Sequence, residues 1–311
     1  MRTSSEPKRH HFVPKFYLRN FADNKKRIRM YERASKKKPI VTSVSNAAVE
    51  SGFYTVIEES GEESQKVERL LAVIEGEAKA AIVRLLKGQF PPDPESRNFL
   101  ALFLALQILR TPEHRRQYEA SVDYVQKVLL EGWTPDYAHE RLEQAGIKPS
   151  DEAVAEIMDV VQNPDRYRFV PHQNEHIKIM LSVASQIASV IGARAWLLGH
   201  CKTTTFITGD HPVVWNSRPS ETSRYVGVGI GNADEVYYPL DRHHVLALAP
   251  PNTLPERPIP LVKDNVLFVN SLVAEYSHRW VFQHPDDEPV GHLIPATPRP
   301  IMEINGEPVF R

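Results

Sequence analysis

The chain has 311 residues, 41% of them hydrophobic and 25% charged, enough apolar material for a sizeable core and too much for a disordered or fibrous protein. A single cysteine, Cys201, excludes an intrachain disulfide and a cysteine-based zinc cluster, so a reducing, cytoplasmic setting is expected and any metal ligands would be His or carboxylate. The net charge of −1 conceals an asymmetry: residues 1–40 hold thirteen Lys or Arg against three acids, a net of +10, leaving −11 for the other 271.

In chain order, HHFVPKFYLRNFAD (10–23) places two histidines, a proline and four aromatic residues where a terminus is ordinarily polar and frayed. Such a segment reads as one that docks back on the C-terminal half and carries His10 and His11 into a site. Being adjacent, the two histidines point to opposite faces if the segment is a strand, whereas in a turn both could enter one pocket. KRIRMYERA (25–33) partly alternates and precedes KKKP, a strand and turn, and VESGFYTVIEESGEES (49–64) reads as a short strand running into an acidic loop.

A helix is expected from about Ser64, with Val67, Leu70, Leu71, Ile74, Ala78, Ile82 and Leu85 on its apolar stripe and Glu68, Glu75 and Lys79 on the more polar side, ending at Gly88 and PPDP. The next, from near Glu95, is apolar almost all round and so belongs between neighbours. Its run FLALFLALQIL (99–109) falls short of the roughly 20 residues of a membrane span, and no membrane association is expected. Pro112 restarts the chain as another helix after Thr111, since proline suits a first turn and not a helix interior. Residues 113–191 are mostly helical, with breaks at GWTPD and NPDRYRFVP.

From about Ala193 the pattern becomes short β-rich runs. ARAWLLGH, TTFITGD, PVVW, EVYYPL and HVLALAP predict an antiparallel or mixed sheet of about five strands, with 216–234 a long loop and 265–280 a helix leading into a last strand, WVFQH. The fold class is therefore α+β. One unit is expected, made of a basic N-terminal β and docking segment (1–63), an inserted helical layer (64–192) and a β-rich region with one helix (193–311).

Five places gather polar groups beside apolar structure: His10-His11, Arg110 with His114, His172 with His176, Asp210-His211, and Asp241-Arg242-His243-His244. FITGDHPVVW (206–215) is the most informative, because it sets Asp210 and His211 in a tight connection at a strand end, where an Asp can hold a metal, orient a histidine or act as a base. The plainer alternative is an Asp that makes a turn ahead of Pro212. HQNEH (172–176) matches a zinc-site spacing, yet Pro171 places it in a helix first turn, and it reads as a solvated helix start with Glu175 favourable to the dipole. Arg110 ends a buried helix, so carboxylates, carbonyls or a ligand phosphate should hold its guanidinium. No P-loop, dinucleotide fingerprint or nucleophile elbow is present.

HHFVPKFYLRNFAD, IEGEAKAAI, LALFLALQILRTPEHR, FITGDHPVVW and YPLDRHHVLALAP, in that order, resemble the bacterial family catalogued as domain of unknown function 4238, over roughly residues 9–282. The resemblance implies that His10, His11, Pro14, Tyr17, Leu18, Phe21, Arg110, Thr111, Pro112, Asp210 and Pro212 occupy motif positions. Ser commonly precedes the Asp in that family and Asn follows it, where this chain has Gly209 and His211. It also implies an association of some members with antiviral defence.

Together these features lead to an expected site in which Asp210 is a base or metal ligand, His10 or His11 an acid, base or ligand, and Arg110 stabilises a phosphoryl charge. Asp210 and His11 are the metal candidates, and Tyr17, His211, Asp241 and His243 the secondary ones. The expected activity is phosphodiester or nucleotide processing, with a divalent metal as the cofactor such a set would take. The alternative is a non-catalytic module whose basic, aromatic first 40 residues grip nucleic acid, a nucleotide or a protein partner.

Overall fold

The structure, a computed structural model, describes residues 9–51, 56–57, 63–64, 66–218, 227–304 and 307–309. It opens with strand β1 (Arg9–His11), a short helix α1 (Lys15–Leu18), strands β2 (Arg27–Glu32), β3 (Ile40–Ser43) and β4 (Val49–Ser51), and the two-residue pair β5 (Val56–Ile57) and β6 (Glu63–Ser64). Helices follow: α2 (Lys66–Leu86), α3 (Pro94–Leu109), α4 (Pro112–Leu130), α5 (Pro135–Gln144), α6 (Asp151–Gln162) and α7 (Gln173–Ala193). The remainder is β7 (Ala195–His200), β8 (Thr208–Gly209), β9 (Val214–Asn216), β10 (Glu235–Pro239), β11 (His244–Ala249), β12 (Arg257–Pro260), α8 (Lys263–Tyr276), β13 (Trp280–Gln283), β14 (Met302–Ile304) and β15 (Glu307–Val309). This is an α+β fold.

The helical layer follows from its pattern. α3 buries Leu100, Phe103, Leu104, Leu106 and Leu109 because it is apolar around its circumference, and it lies between α2 and α7. On α2 the expected stripe is buried except Leu70, which is 46% exposed. Thr111 caps α4, its hydroxyl accepting the His114 N–H at 3.1 Å, and Pro112 takes the first turn, as the sequence predicts. By length and composition Asn174–Ala193, within α7, is apolar enough to cross a membrane; here it packs along α3.

Two sheets divide the strands differently from the sequence expectation. A five-stranded mixed sheet runs β12-β7-β11-β10-β9, with β12 parallel to β7 and the other neighbours antiparallel. Its fifth strand is RPIP (257–260), whose prolines suit an edge. TTFITGD supplies only the two-residue β8, which leaves that sheet for a second one ordered β3-β2-β13-β8. The second sheet joins the two ends of the chain, since β2 pairs with β13 through Tyr31↔Val281 and Met30↔Phe282.

The opening segment docks as its aromatic content predicts. Phe12, Val13, Tyr17, Leu18 and Phe21 are buried, and Tyr17 stacks on Tyr238 with ring centroids 4.9 Å apart. The Tyr17 hydroxyl donates to Pro239 O at 2.8 Å and pairs with Thr208 Oγ1 at 2.7 Å, and Asn20 Nδ2 donates to Leu240 O at 2.8 Å. Burying a tyrosine is favourable only when its hydroxyl is satisfied, and these partners, about 190 to 220 residues away, do that. Much of the basic character is also consumed internally. Arg33 donates to Ala274 O, Glu275 O, Ser277 O and Thr297 O, and Arg29 to Pro285 O and Asp287 O.

Candidate functional site

The four residues expected to form one cleft are divided: His10 and His11 line one hollow, Asp210 lines another, and Arg110 lines neither. His10 and His11 border an open groove of about 610 Å³ with Lys15, Phe16, Arg19, Glu68 and Glu75. Within it His10 Nε2, from β1, bonds Glu68 Oε1, in the first turn of the expected helix α2, at 2.6 Å. Arg110 lies just behind: it is 1% exposed, Nη1 donates to Glu75 Oε1 at 2.6 Å, and its Cζ sits 5.7 Å from the centre of the Phe103 ring. A buried guanidinium needs such a carboxylate, so Glu75 is its structural counter-ion and Arg110 is committed within the fold.

Asp210 lies at the other hollow, a more enclosed cavity of about 220 Å³ bordered by Thr111, Glu113, Arg116, His278, Trp280 and Phe12 among others. The residue is 5% exposed. Its Oδ1 accepts the His278 N–H at 2.9 Å, its Oδ2 accepts those of Arg279 at 2.7 Å and Trp280 at 2.8 Å, and its own N–H donates to Trp280 O at 2.9 Å. Burial raises its pKa against the downward pull of those three N–H groups. The carboxylate thus ties the end of β8 to the turn that starts β13, and the expected role as free base or metal ligand gives way to a backbone clamp. Gly209 permits that approach, because a Cβ there would stand 2.0 Å from Ser277 Oγ.

The chemistry at this cavity comes instead from residues around Asp210. Glu113, in the first turn of α4, is 3% exposed, and burial pushes its pKa up to about 7, opposed by Arg299, whose Nη1 lies 3.5 Å from Glu113 Oε2, and by the charges of Arg116 and Arg33. That oxygen accepts no hydrogen bond among the described residues. Arg116, one turn along α4 and half-buried, has no ion-pair partner among them. His278 offers an unpartnered Nδ1, its pKa driven down to about 4 by burial and by nearby arginines, so the ring is neutral near pH 7. A carboxyl that titrates near neutrality, a neutral imidazole and an unpaired guanidinium around one enclosed space is an acid–base set with a cation for an anionic ligand.

A model described as a protein of unknown function (DUF4238) matches residues 9–287. The chain belongs to the DUF4238 family. No curated protein and no solved structure matches it. Of the positions that the resemblance implies to be motif ones, Tyr17, Phe21, Arg110 and Asp210 all make buried tertiary contacts in this chain.

The secondary candidates separate in the same way. His211 is buried beside Trp215 and Tyr276, each with ring centroids 5.8 Å away, and burial lowers its pKa to about 3. Asp241 accepts the N–H groups of His243 and His244 and bonds His244 Nδ1 at 2.9 Å, while His243 Nδ1 meets Cys201 O at 3.1 Å; together these form the β10–β11 turn. His172 caps α7 through Nδ1, so HQNEH is a helix start, as read from Pro171, but it is not wholly solvated as expected: His176 is buried and turns inward toward His114. Among the described residues no group of three or more His, Cys, Asp or Glu is arranged to hold a metal.

Sequence reasoning passed over Glu113, Arg116, His278 and Arg299. Glu113 and Arg116 stand inside RTPEHRR, but an acid in a helix first turn is ordinary, and only its burial distinguishes Glu113.

Proposed function

We propose that this DUF4238 protein is an enzyme that processes a small phosphorylated substrate, a phosphodiester or nucleotide, in the cavity between the start of α4 and the β8–β13 connection. The observation that carries the reading is the buried Glu113 carboxyl, poised near neutral pH beside Arg116, which has no ion-pair partner among the described residues. In this role Glu113 takes a proton from attacking water, Arg116 meets the charge that gathers on phosphoryl oxygens, and neutral His278 supplies a hydrogen-bonding ring nitrogen. Asp210 holds the turn that carries His278. The volume admits a phosphoryl group and part of a nucleotide, so a polymer would present an end or an unstacked residue. A role in antiviral defence, which the family resemblance implies, is compatible with that substrate class.

The experiment is a hydrolysis screen of the full chain against bis(p-nitrophenyl) phosphate, cyclic and linear nucleotides and oligonucleotides, with and without Mg²⁺ or Mn²⁺. Glu113→Gln and Arg116→Ala should each lower the rate by roughly 10²–10⁴-fold while the protein stays folded. A detected activity that both variants retain refutes the assignment.

A second reading has its own observation. His10–Glu68 and Arg110–Glu75 are closed pairs beside an open groove that carries Lys15, Phe16 and Arg19, which suits a binding module for nucleic acid or an acidic partner. It predicts binding that weakens steeply with salt and is unaccompanied by turnover. Salt-insensitive binding, or none, counts against it.

A further inference from the structure

The family match ends at residue 287, yet the chain beyond it folds back over the site. Pro295 O accepts the Ala34 N–H at 3.2 Å, Thr297 O accepts from Arg33 Nε at 2.9 Å, Ile301 is 1% exposed, and Met302 Sδ lies 3.9 Å from Ser121 Oγ on α4. These anchors fix a strap across the end of α8. Between them Arg299 turns inward. Its Nη1 donates to Tyr276 O, its Cζ lies 4.8 Å from the Tyr276 ring centroid, and Nη1 reaches to 3.5 Å from Glu113 Oε2, the oxygen that accepts no hydrogen bond among the described residues.

Four charged groups act on Glu113: Arg116 from its own helix, Asp210 from the end of β8, Arg33 from the strand end after β2, and Arg299 from the strap. Arg33 is occupied by four backbone carbonyls, and Asp210 opposes ionisation of Glu113. Arg116 borders the cavity, where a bound anion would draw on its charge. Among the described residues Arg299 is therefore the cation within ion-pair distance of the Glu113 carboxylate, and the Tyr276 carbonyl holds it there without a ligand.

Resting on the reading of Glu113 as the acid–base group, we propose that Arg299 is a positioning residue of the site: the C-terminal strap supplies the cation that holds the Glu113 carboxylate and sets the pH range in which it accepts a proton. Burial alone favours the protonated acid, which cannot act as a base, and a cation 3.5 Å away restores the charged form. The site is thus completed by a segment outside the family-matched part of the chain.

The test is a carboxyl ¹³C NMR titration of the full-length protein labelled at glutamate, with the Glu113 resonance assigned by its loss in Glu113→Gln. Arg299→Gln should raise the Glu113 midpoint by roughly one to three pH units, and Arg299→Lys, which keeps the charge and folds more readily, should leave it near the wild-type value. An Arg299→Gln midpoint equal to wild type, or an Arg299→Lys midpoint displaced as far as that of the neutral variant, overturns the proposal. The reading it rests on fails separately: in that case the wild-type midpoint itself lies in the ordinary carboxylate range.

Discussion

Replacing Asp210 with alanine removes the acceptor of three consecutive backbone N–H groups, at 2.9, 2.7 and 2.8 Å, in a place 5% exposed. A hydrogen bond to a charged group contributes about 1.5–3 kcal/mol, and a buried donor left without a partner costs about 1–3 kcal/mol. Three such donors lie in one turn, and water entering from the adjoining cavity can satisfy part of the loss, so about 3–6 kcal/mol is expected rather than the full sum. That is a large share of the roughly 5–15 kcal/mol by which domains are stable, and Asp210→Ala should be marginally folded at 25 °C. Asp210→Asn keeps the shape and one accepting oxygen but turns an NH₂ toward a donor, for a loss of about 1–3 kcal/mol. Urea unfolding followed by circular dichroism at one pH measures both. An alanine variant within about 1 kcal/mol of wild type would refute the clamp and return Asp210 to the list of catalytic residues.

Glu113 gives a pH signature. Its folded pKa, raised to about 7, lies above the unfolded value, so stability from this group is present at low pH and is lost as pH rises from about 4.5 through 7; Glu113→Gln, a mimic of the acid, should match wild type near pH 4.5 and exceed it by on the order of 2–3 kcal/mol at pH 8 in paired urea titrations. Gly209→Ala should cost about 1–3 kcal/mol by overlap with Ser277 Oγ, and adding Ser277→Ala should recover most of it, which a double-mutant cycle of melting temperatures reads directly. Arg110→Ala leaves Glu75 without its cation and empties a fully buried volume, so a loss of about 3–5 kcal/mol is expected in the same unfolding assay. Deletion of residues 1–24 should abolish cooperative melting, because Tyr17, Leu18 and Phe21 are wholly buried.

The helices were legible because their signals are local: the Thr111 cap, Pro112 at a first turn, and the all-round apolar character of α3 lie within a few residues of what they specify. The docking of the first segment was legible too, since five buried apolar side chains near a terminus need a partner surface. Sheet membership was not. TTFITGD is as β-rich as its neighbours, and its transfer to the second sheet depends on β13, some 70 residues later. The site failed for the same reason. Nothing local in RTPEHRR distinguishes a solvated Glu from one sealed by Arg299, whose place is set by contacts with Tyr276.

The pairing of β2 with β13 also sets an order of events in the cell. Tyr31 and Gln283, hydrogen-bonded at 3.0 Å, are 252 residues apart, and at about 5–20 residues per second the ribosome delivers the second strand roughly 12 to 50 s after the first. Throughout that interval the edge of β2 that β13 takes has no native partner, a long exposure for an unpaired strand. Nascent-chain care therefore falls on β2, and substitutions that blunt the apolar character of its buried Ile28 and Met30 should raise soluble yield in translation even while they lower the stability of the finished protein.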